Sequence, residues 1–290
     1  MDDEQVRRRR LPQSAGREKE VADMMRASLS NCTARVTLAL LVSLGAQTVV
    51  HAQGRRPGGP PPSAQAAAPI DLTGYWTSLT TFDWEFRMVT PRPGDYENVP
   101  LNPAGIQVMD AWDPARDTAA GEQCKSYGAP SLMRNPEHLH ISWQDEQTLK
   151  LEADAGEQTR LLHFVRSDTD RGPASLQGYS TAEWEITRAS LGRGGGRNAG
   201  AGKVLGGDLK VMTSDLEAGY LRKNGIPYSD RTRMLEYYDM MPQIGGEQIV
   251  IVTSVITDPV YLTKPFVRDS IFKRLSDSAG WAPTPCSATW

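Results

Sequence analysis

The sequence predicts an all-β chain closed into a single antiparallel barrel with one or two short helices, and three observations predict it. Beyond residue 70, about ten short β-favouring runs alternate with turn residues. Helical periodicity is nearly absent there, which argues against a βαβ sheet. All seven Trp, nine Tyr and five Phe lie beyond residue 52, where a pleated sheet would use them. The rest of the composition is ordinary for a globular chain: 39% hydrophobic, 23% charged, formal net charge −3. Gly and Pro follow no fixed period, so collagen-like and solenoid folds are excluded, and the charge balance argues against a nucleic-acid partner.

Residues 1–52 read as an N-terminal extension and secretory signal peptide. The apolar run Val36–Leu44 (VTLALLVSL) is far short of the roughly 20 residues that span a bilayer. It follows Arg26 and Arg35 and ends in Val50-His51-Ala52, a small-residue exit for a cut after Ala52. The long polar stretch before it makes Met24 or Met25 an alternative start to Met1. Arg7–Arg10 stand too far from the apolar run for a twin-arginine signal. Residues 53–69 are rich in Pro, Gly and Ala without periodicity and read as a disordered linker. The expectation is a periplasmic or secreted protein with no stable membrane insertion after cleavage.

Residues 70–290 carry the domain. Gly74–Thr80 and Asp83–Val89 read as the first two strands. Asn102–Trp112 is the one convincing helix, with Pro103 suited to its first turn and Ile106, Met109 and Ala111 as its apolar stripe. His138–Trp143 alternates cleanly, with Leu139, Ile141 and Trp143 on one face, and Leu149, Leu151 and Ala153 alternate with charged neighbours. Further strands are read at Gln158–Arg166, Gln177–Thr187, Asp208–Thr213, Met234–Met240, Gln248–Thr257 and Phe266–Leu275. The glycine-rich stretch Arg193–Gly207 lacks the Gly-Lys-Ser/Thr end of a phosphate loop and reads as a long hairpin insertion. Cys124 and Cys286 are the two cysteines left after cleavage, an even count that in an exported chain argues for a disulfide.

Gly74-Tyr75-Trp76 on the first strand resembles the Gly-x-Trp signature of lipocalin-like (calycin) barrels. There the glycine lets the chain bend and the Trp plugs the closed end. A longer resemblance, to a family of exported bacterial proteins of this size, rests on five segments. They are DLTGYWTSLTTFDWEFRMVTP, AWDPARDTAAGEQCKSYGAP, LHISWQDEQTLKLEADAGEQTRLLHF, GYLRKNGIPYS and DPVYLTKPF. It implies a lipocalin-like β-barrel and an exported location, and it brings no activity.

The expected function is binding of a small, partly apolar molecule, with Trp84, Phe86, Trp143 and Tyr237 lining an apolar cup. The alternative is an acid–base enzyme, a hydrolase, lyase or isomerase, using His140, His163 and Glu183 inside the barrel. A structural envelope protein without a ligand is the third reading. His138 and His140 stand about 7 Å apart on one strand face and with His163 could hold zinc. A strand's polar face ordinarily points to water, however, so the sequence assigns no metal and no cofactor. His163 is expected to face a cavity within reach of His140 or Glu183, because apolar residues on both faces of its strand imply cover on both sides.

Overall fold

The computed structural model describes residues 61–80, 84–135, 137–167, 169, 171–189, 203–242 and 246–289. The leader reading, most of the glycine-rich insertion, and Asp83 fall outside the described residues.

Alternating apolar residues build eleven strands among the described residues. In chain order the first six are β1 (Gly74–Leu79), β2 (His138–Asp145), β3 (Thr148–Ala153), β4 (Gln158–His163), β5 (Tyr179–Arg188) and β6 (Val204–Ser214). They are followed by β7 (Gly219–Tyr220), β8 (Pro227–Tyr228), β9 (Arg233–Pro242), β10 (Gln248–Thr257) and β11 (Phe266–Arg274). Nine of them close a barrel in the order β1-β11-β10-β9-β6-β5-β4-β3-β2, and β7 and β8 form a separate small sheet. Closure joins β1 to β2 through Trp76↔Leu139 and to β11 through Trp76↔Arg274.

The barrel is not purely antiparallel. β4 and β5 run parallel, pairing Leu162 with Ser180 and His163 with Thr181. A hairpin reading assumed that neighbours in sequence fold straight back. Here the connection is held by backbone bonds from Ser175 to Asp215 and from Glu217 to Ser175. A parallel neighbour requires such a long return.

Asp83–Val89 is not a strand either. Trp84–Arg87 is a short helix, α1, with Arg87 buried. Its Nε donates to Arg134 O at 2.7 Å and its Nη2 to Ser78 Oγ at 2.8 Å. These tertiary polar contacts outweigh the β preference of Trp and Phe. The expected helix is present as α2 (Pro103–Asp110), capped by Asn102 Oδ1 accepting from Gly105 N at 2.9 Å. α3 (Pro114–Ala119), a 3-10 turn (Gln123–Tyr127) and α4 (Ala129–Leu132) follow.

Side chains fill the lumen. Trp76, Leu139, Leu151, Leu209, Val252 and Phe272 are fully buried and form one cluster. Trp76 Nε1 donates to Leu72 O at 2.9 Å, and the Arg274 guanidinium stacks on its ring at 4.8 Å. A polar cluster sits among these side chains. Arg160 and Glu236 meet through two bonds of 3.2 and 2.6 Å, and Ser180 and Thr213 also accept from the guanidinium.

Both ends are covered. At one end α2, α4 and β8 pack a second apolar cluster against Met234, Ile256 and Phe266. At the other, Trp143, Phe164 and Trp184 form an aromatic chain with centroids 5.6 and 5.2 Å apart. The end of the segment read as a linker lies over it. Trp184 Nε1 donates to Ala64 O at 2.9 Å, Gln65 N donates to Glu146 O at 3.1 Å, and Ile70 packs on the core. No helix among the described residues is long and apolar enough to cross a membrane.

Candidate functional site

The four aromatics read as a ligand cup are spread over the surface and one barrel end. Trp143 belongs to the aromatic plug, and Trp84 is 60% exposed on α1. Phe86 lies under the Arg222 guanidinium at 4.6 Å, and Tyr237 stands outside β9, opposite Lys210. They share no pocket among the described residues.

The three acid–base candidates lie on the outer wall of the barrel. Arg160 and Leu162 take the inward positions of β4, so His163 points outward and stacks on Tyr179 with centroids 5.1 Å apart. His163 and Glu183 do share a cleft, a shallow one of about 360 Å³ with Lys210 and Arg166 beside the parallel junction. Lys210 Nζ sits 2.8 Å from Glu183 and 3.2 Å from Glu185, and these hydrogen bonds hold its ammonium well above the usual lysine range. His140 stands apart. It pairs through Glu152 to Thr159, four residues along β4 from His163, or roughly 13 Å of strand. Its ring stacks on Tyr75 at 4.3 Å and its Nδ1 meets Glu152 Oε2 at 3.0 Å. Alternation puts Leu161 and His163 together on the face opposite Arg160 and Leu162. It could not say which face the barrel would enclose.

Two larger clefts lie toward opposite ends. The first, about 550 Å³, runs between the Pro69-Ile70 segment and the ends of β6, β9 and β10, with Leu205, Met240 and Met241 as apolar wall. Asp208 and Asp239 form its polar side. Burial, then the charge of Asp239 and its hydrogen bond, raise the Asp208 carboxyl above its ordinary value. The second, about 600 Å³, lies on the helical cap and is walled by Trp112, Tyr220 and Tyr261.

Between cap and lumen lies a buried titratable group of three. Glu137 is 4% exposed and neither carboxyl oxygen has a hydrogen-bond partner among the described residues. Desolvation, then the nearby charge of Asp154, push it well above the usual carboxylate range. Lys223 Nζ donates to Tyr127 Oη at 2.5 Å, and burial brings the lysine down to about 8. Tyr127 Oη also accepts from Ser287 N at 3.3 Å. That residue belongs to a C-terminal strap tied down by the Cys124–Cys286 disulfide, with Cα atoms 5.1 Å apart. The strap is also stitched to β3's end by Thr284 N to Asp154 O and Gly156 N to Thr284 O. The adjoining cavity, between Arg87, Asn135 and Lys223, measures only about 10 Å³, room for one water. Lys223 and Tyr127 are joined directly by a hydrogen bond, and the group has no substrate-sized space beside it among the described residues.

No known protein family, curated protein or solved structure matches the chain. The site must therefore be read from its own chemistry. Among the described residues no three His, Cys, Asp or Glu side chains are grouped as metal ligands.

Sequence reasoning missed Trp112, Asp117, Tyr220 and Tyr261 because they sit in loops and in elements too short for periodicity to mark a face. A signal was present. AWDPARDTAAGEQCKSYGAP, GYLRKNGIPYS and DPVYLTKPF, the segments that supply these residues, had been read for fold alone.

Proposed function

We propose that this is an exported, lipocalin-like protein that binds a small, partly apolar molecule in the cleft beside its plugged barrel end. The observation that carries the reading is that cleft's make-up. A volume of about 550 Å³ lies within the range of small-molecule sites, and its apolar wall of Ile70, Leu205, Met240 and Met241 faces the Asp208–Asp239 pair. Ile70 and Met240 also pack on the barrel core, so that wall is backed by rigid structure. Two neighbouring carboxyls, one of them raised, favour a ligand whose polar end donates hydrogen bonds. The disulfide agrees with an oxidising compartment, periplasmic or secreted. The reading calls for no cofactor and no nucleic-acid partner.

Native mass spectrometry of protein taken from the periplasm tests it by looking for a co-purified small molecule. Ile70→Asp and Met241→Asp should each weaken retention of that molecule at least about ten-fold, since each removes apolar contact area and adds a charge. Retention unchanged in both variants would place the ligand elsewhere.

A second reading, an acid–base enzyme, is favoured by one observation: His163, Glu183 and Lys210 line a single cleft. His140 has no part in it.

A further inference from the structure

The cap cleft is built differently from the barrel-end cleft. Its centre is Asp117, 7% exposed, whose two oxygens accept from Trp112 Nε1 at 3.0 Å and from Tyr220 Oη at 3.2 Å. One buried carboxylate thus sets the positions of two aromatic walls. The third wall, Tyr261, is fixed through its backbone. Its N–H donates to Asp258 Oδ1 at 3.2 Å, and its carbonyl accepts from Asn102 N at 2.9 Å. Trp112 is backed on one side by Gly225, where a Cβ would come within 2.3 Å of the indole, and whose φ of +78° further restricts that position to glycine. Two rings are therefore held by side-chain bonds, and the backbone carrying the third is fixed, before any ligand arrives, which lowers the entropic cost of ordering them.

The polar groups around the rings are of a particular kind. The Gln107 carboxamide and the Tyr261 hydroxyl line the cleft and make no hydrogen bond among the described residues. The charges nearby are largely neutralised in pairs, Lys125 with Glu122 at 2.6 Å and Arg116 with Asp113 at 4.0 Å. An anion meets only cations already paired to carboxylates, and the remaining carboxylate, Asp117, is 7% exposed with both oxygens already accepting from Trp112 and Tyr220. A purely apolar one would strip water from the ion-paired rim without replacing its hydrogen bonds. What fits is a neutral molecule with C–H faces to lie on aromatic rings and hydroxyls around its edge, to meet amide, phenol and carboxylate groups.

We propose that the cap cleft is a saccharide-binding site for neutral sugars, independent of the barrel-end cleft. Trp112, Tyr220 and Tyr261 are its stacking walls, Gln107 is its hydrogen-bonding edge, and Asp117 is the positioning residue that holds two of the walls.

Saturation-transfer NMR on the oxidised chain tests the proposal, using cellobiose, maltose and N,N′-diacetylchitobiose as neutral probes. Glucuronate and phenol serve as charged and purely aromatic comparisons. At least one neutral disaccharide should receive saturation and titrate with a dissociation constant below about 10 mM. Tyr261→Ala and the exposed Gln107→Ala should each weaken that titration about five-fold or more. Trp112→Ala should abolish it, with retention of the native circular-dichroism spectrum required of that variant. Ile70→Asp, at the other cleft, should leave sugar binding unchanged. The proposal is overturned if none of the three sugars receives saturation at about 10 mM. It is overturned equally if glucuronate or phenol binds more tightly than every sugar, or if the titration is the same in Tyr261→Ala and Gln107→Ala.

Discussion

Arg160 and Glu236 face each other across the interior of the barrel, and neither side chain has any exposed surface. Their two-pronged contact joins β4 to β9, strands separated in the barrel by β5 and β6. The Tyr238 hydroxyl donates to the same carboxylate, at 3.4 Å, so a polar cross-tie spans the lumen.

Removing one partner strands the other as a buried charge. Glu236→Leu or Arg160→Met alone should therefore cost about 3–5 kcal/mol in urea unfolding. The double variant should recover most of that loss, because both desolvation penalties vanish together. A double variant as unstable as the worse single one would show that the pair is needed for more than mutual neutralisation.

The disulfide spans 162 residues of chain, and the loop-entropy account assigns such a link up to about 5 kcal/mol. Thermal unfolding with and without reductant, compared with Cys286→Ser, measures it. We expect a clear drop in the midpoint on reduction and no reductant effect in the variant. Equal midpoints for oxidised and reduced protein would mean that the strap's backbone bonds hold the tail unaided.

Lys223 makes stability depend on pH on the alkaline side. Burial holds it at about 8 in the fold against 10.5 when free, so between those values the unfolded chain binds the extra proton. Stability should rise with pH across that window, by at most about 1.4 kcal/mol per unit. Tyr127, raised above its ordinary 10 mainly by burial, acts oppositely at still higher pH. Lys223→Met should flatten the curve from pH 8 to about 10. A slope that survives the substitution would assign the proton to another group.

Glu137 acts on the acid side with the opposite sign. Its raised value means the fold keeps a proton that the unfolded chain gives up above 4.5. Stability from this group is full below that value and is lost as pH rises through the raised one. Glu137→Gln should remove this decline, as followed by denaturant midpoints from pH 4 to about 7. Persistence of the decline in that variant would count against the assignment.

Trp184 fastens the Ala64 segment over the aromatic plug. Trp184→Phe keeps most of the apolar contact and deletes the bond to Ala64 O, a loss of about 1 kcal/mol. Hydrogen exchange at Ala64 and Gln65 should quicken while the strand amides stay protected. Uniform exchange would show that the segment is held by packing alone.

Much of the fold was legible because alternation is a local signal. Leu139, Ile141, Leu149 and Leu151 announced their inward face without any knowledge of partners, and the two cysteines pointed to each other once export was inferred. Arg87 shows where such reasoning stops. Its helix follows from acceptors on Arg134 and Ser78, which no window around Trp84 contains. The β4–β5 pairing is likewise decided by the route of a loop, not by residue preference. The candidate site was least legible for the same reason. Trp112 and Tyr220 converge only through the carboxylate of Asp117, a relationship across more than one hundred residues that leaves no periodic trace.

The seam of the barrel joins its earliest strand to its latest, through Trp76 beside Arg274 and Leu79 beside Ile271. No contiguous stretch of the chain short of nearly the whole domain can satisfy both edges of the sheet. Until β11 is delivered, β1 and β10 each present an unpaired row of backbone donors and acceptors to any passing strand. A ribosome or an export channel that releases this chain end-first therefore hands over an open, adhesive sheet, and contacts of such long sequence separation form slowly. The prolonged openness makes the interval before closure, more than the finished barrel, the stage at which a holding chaperone would matter to this protein.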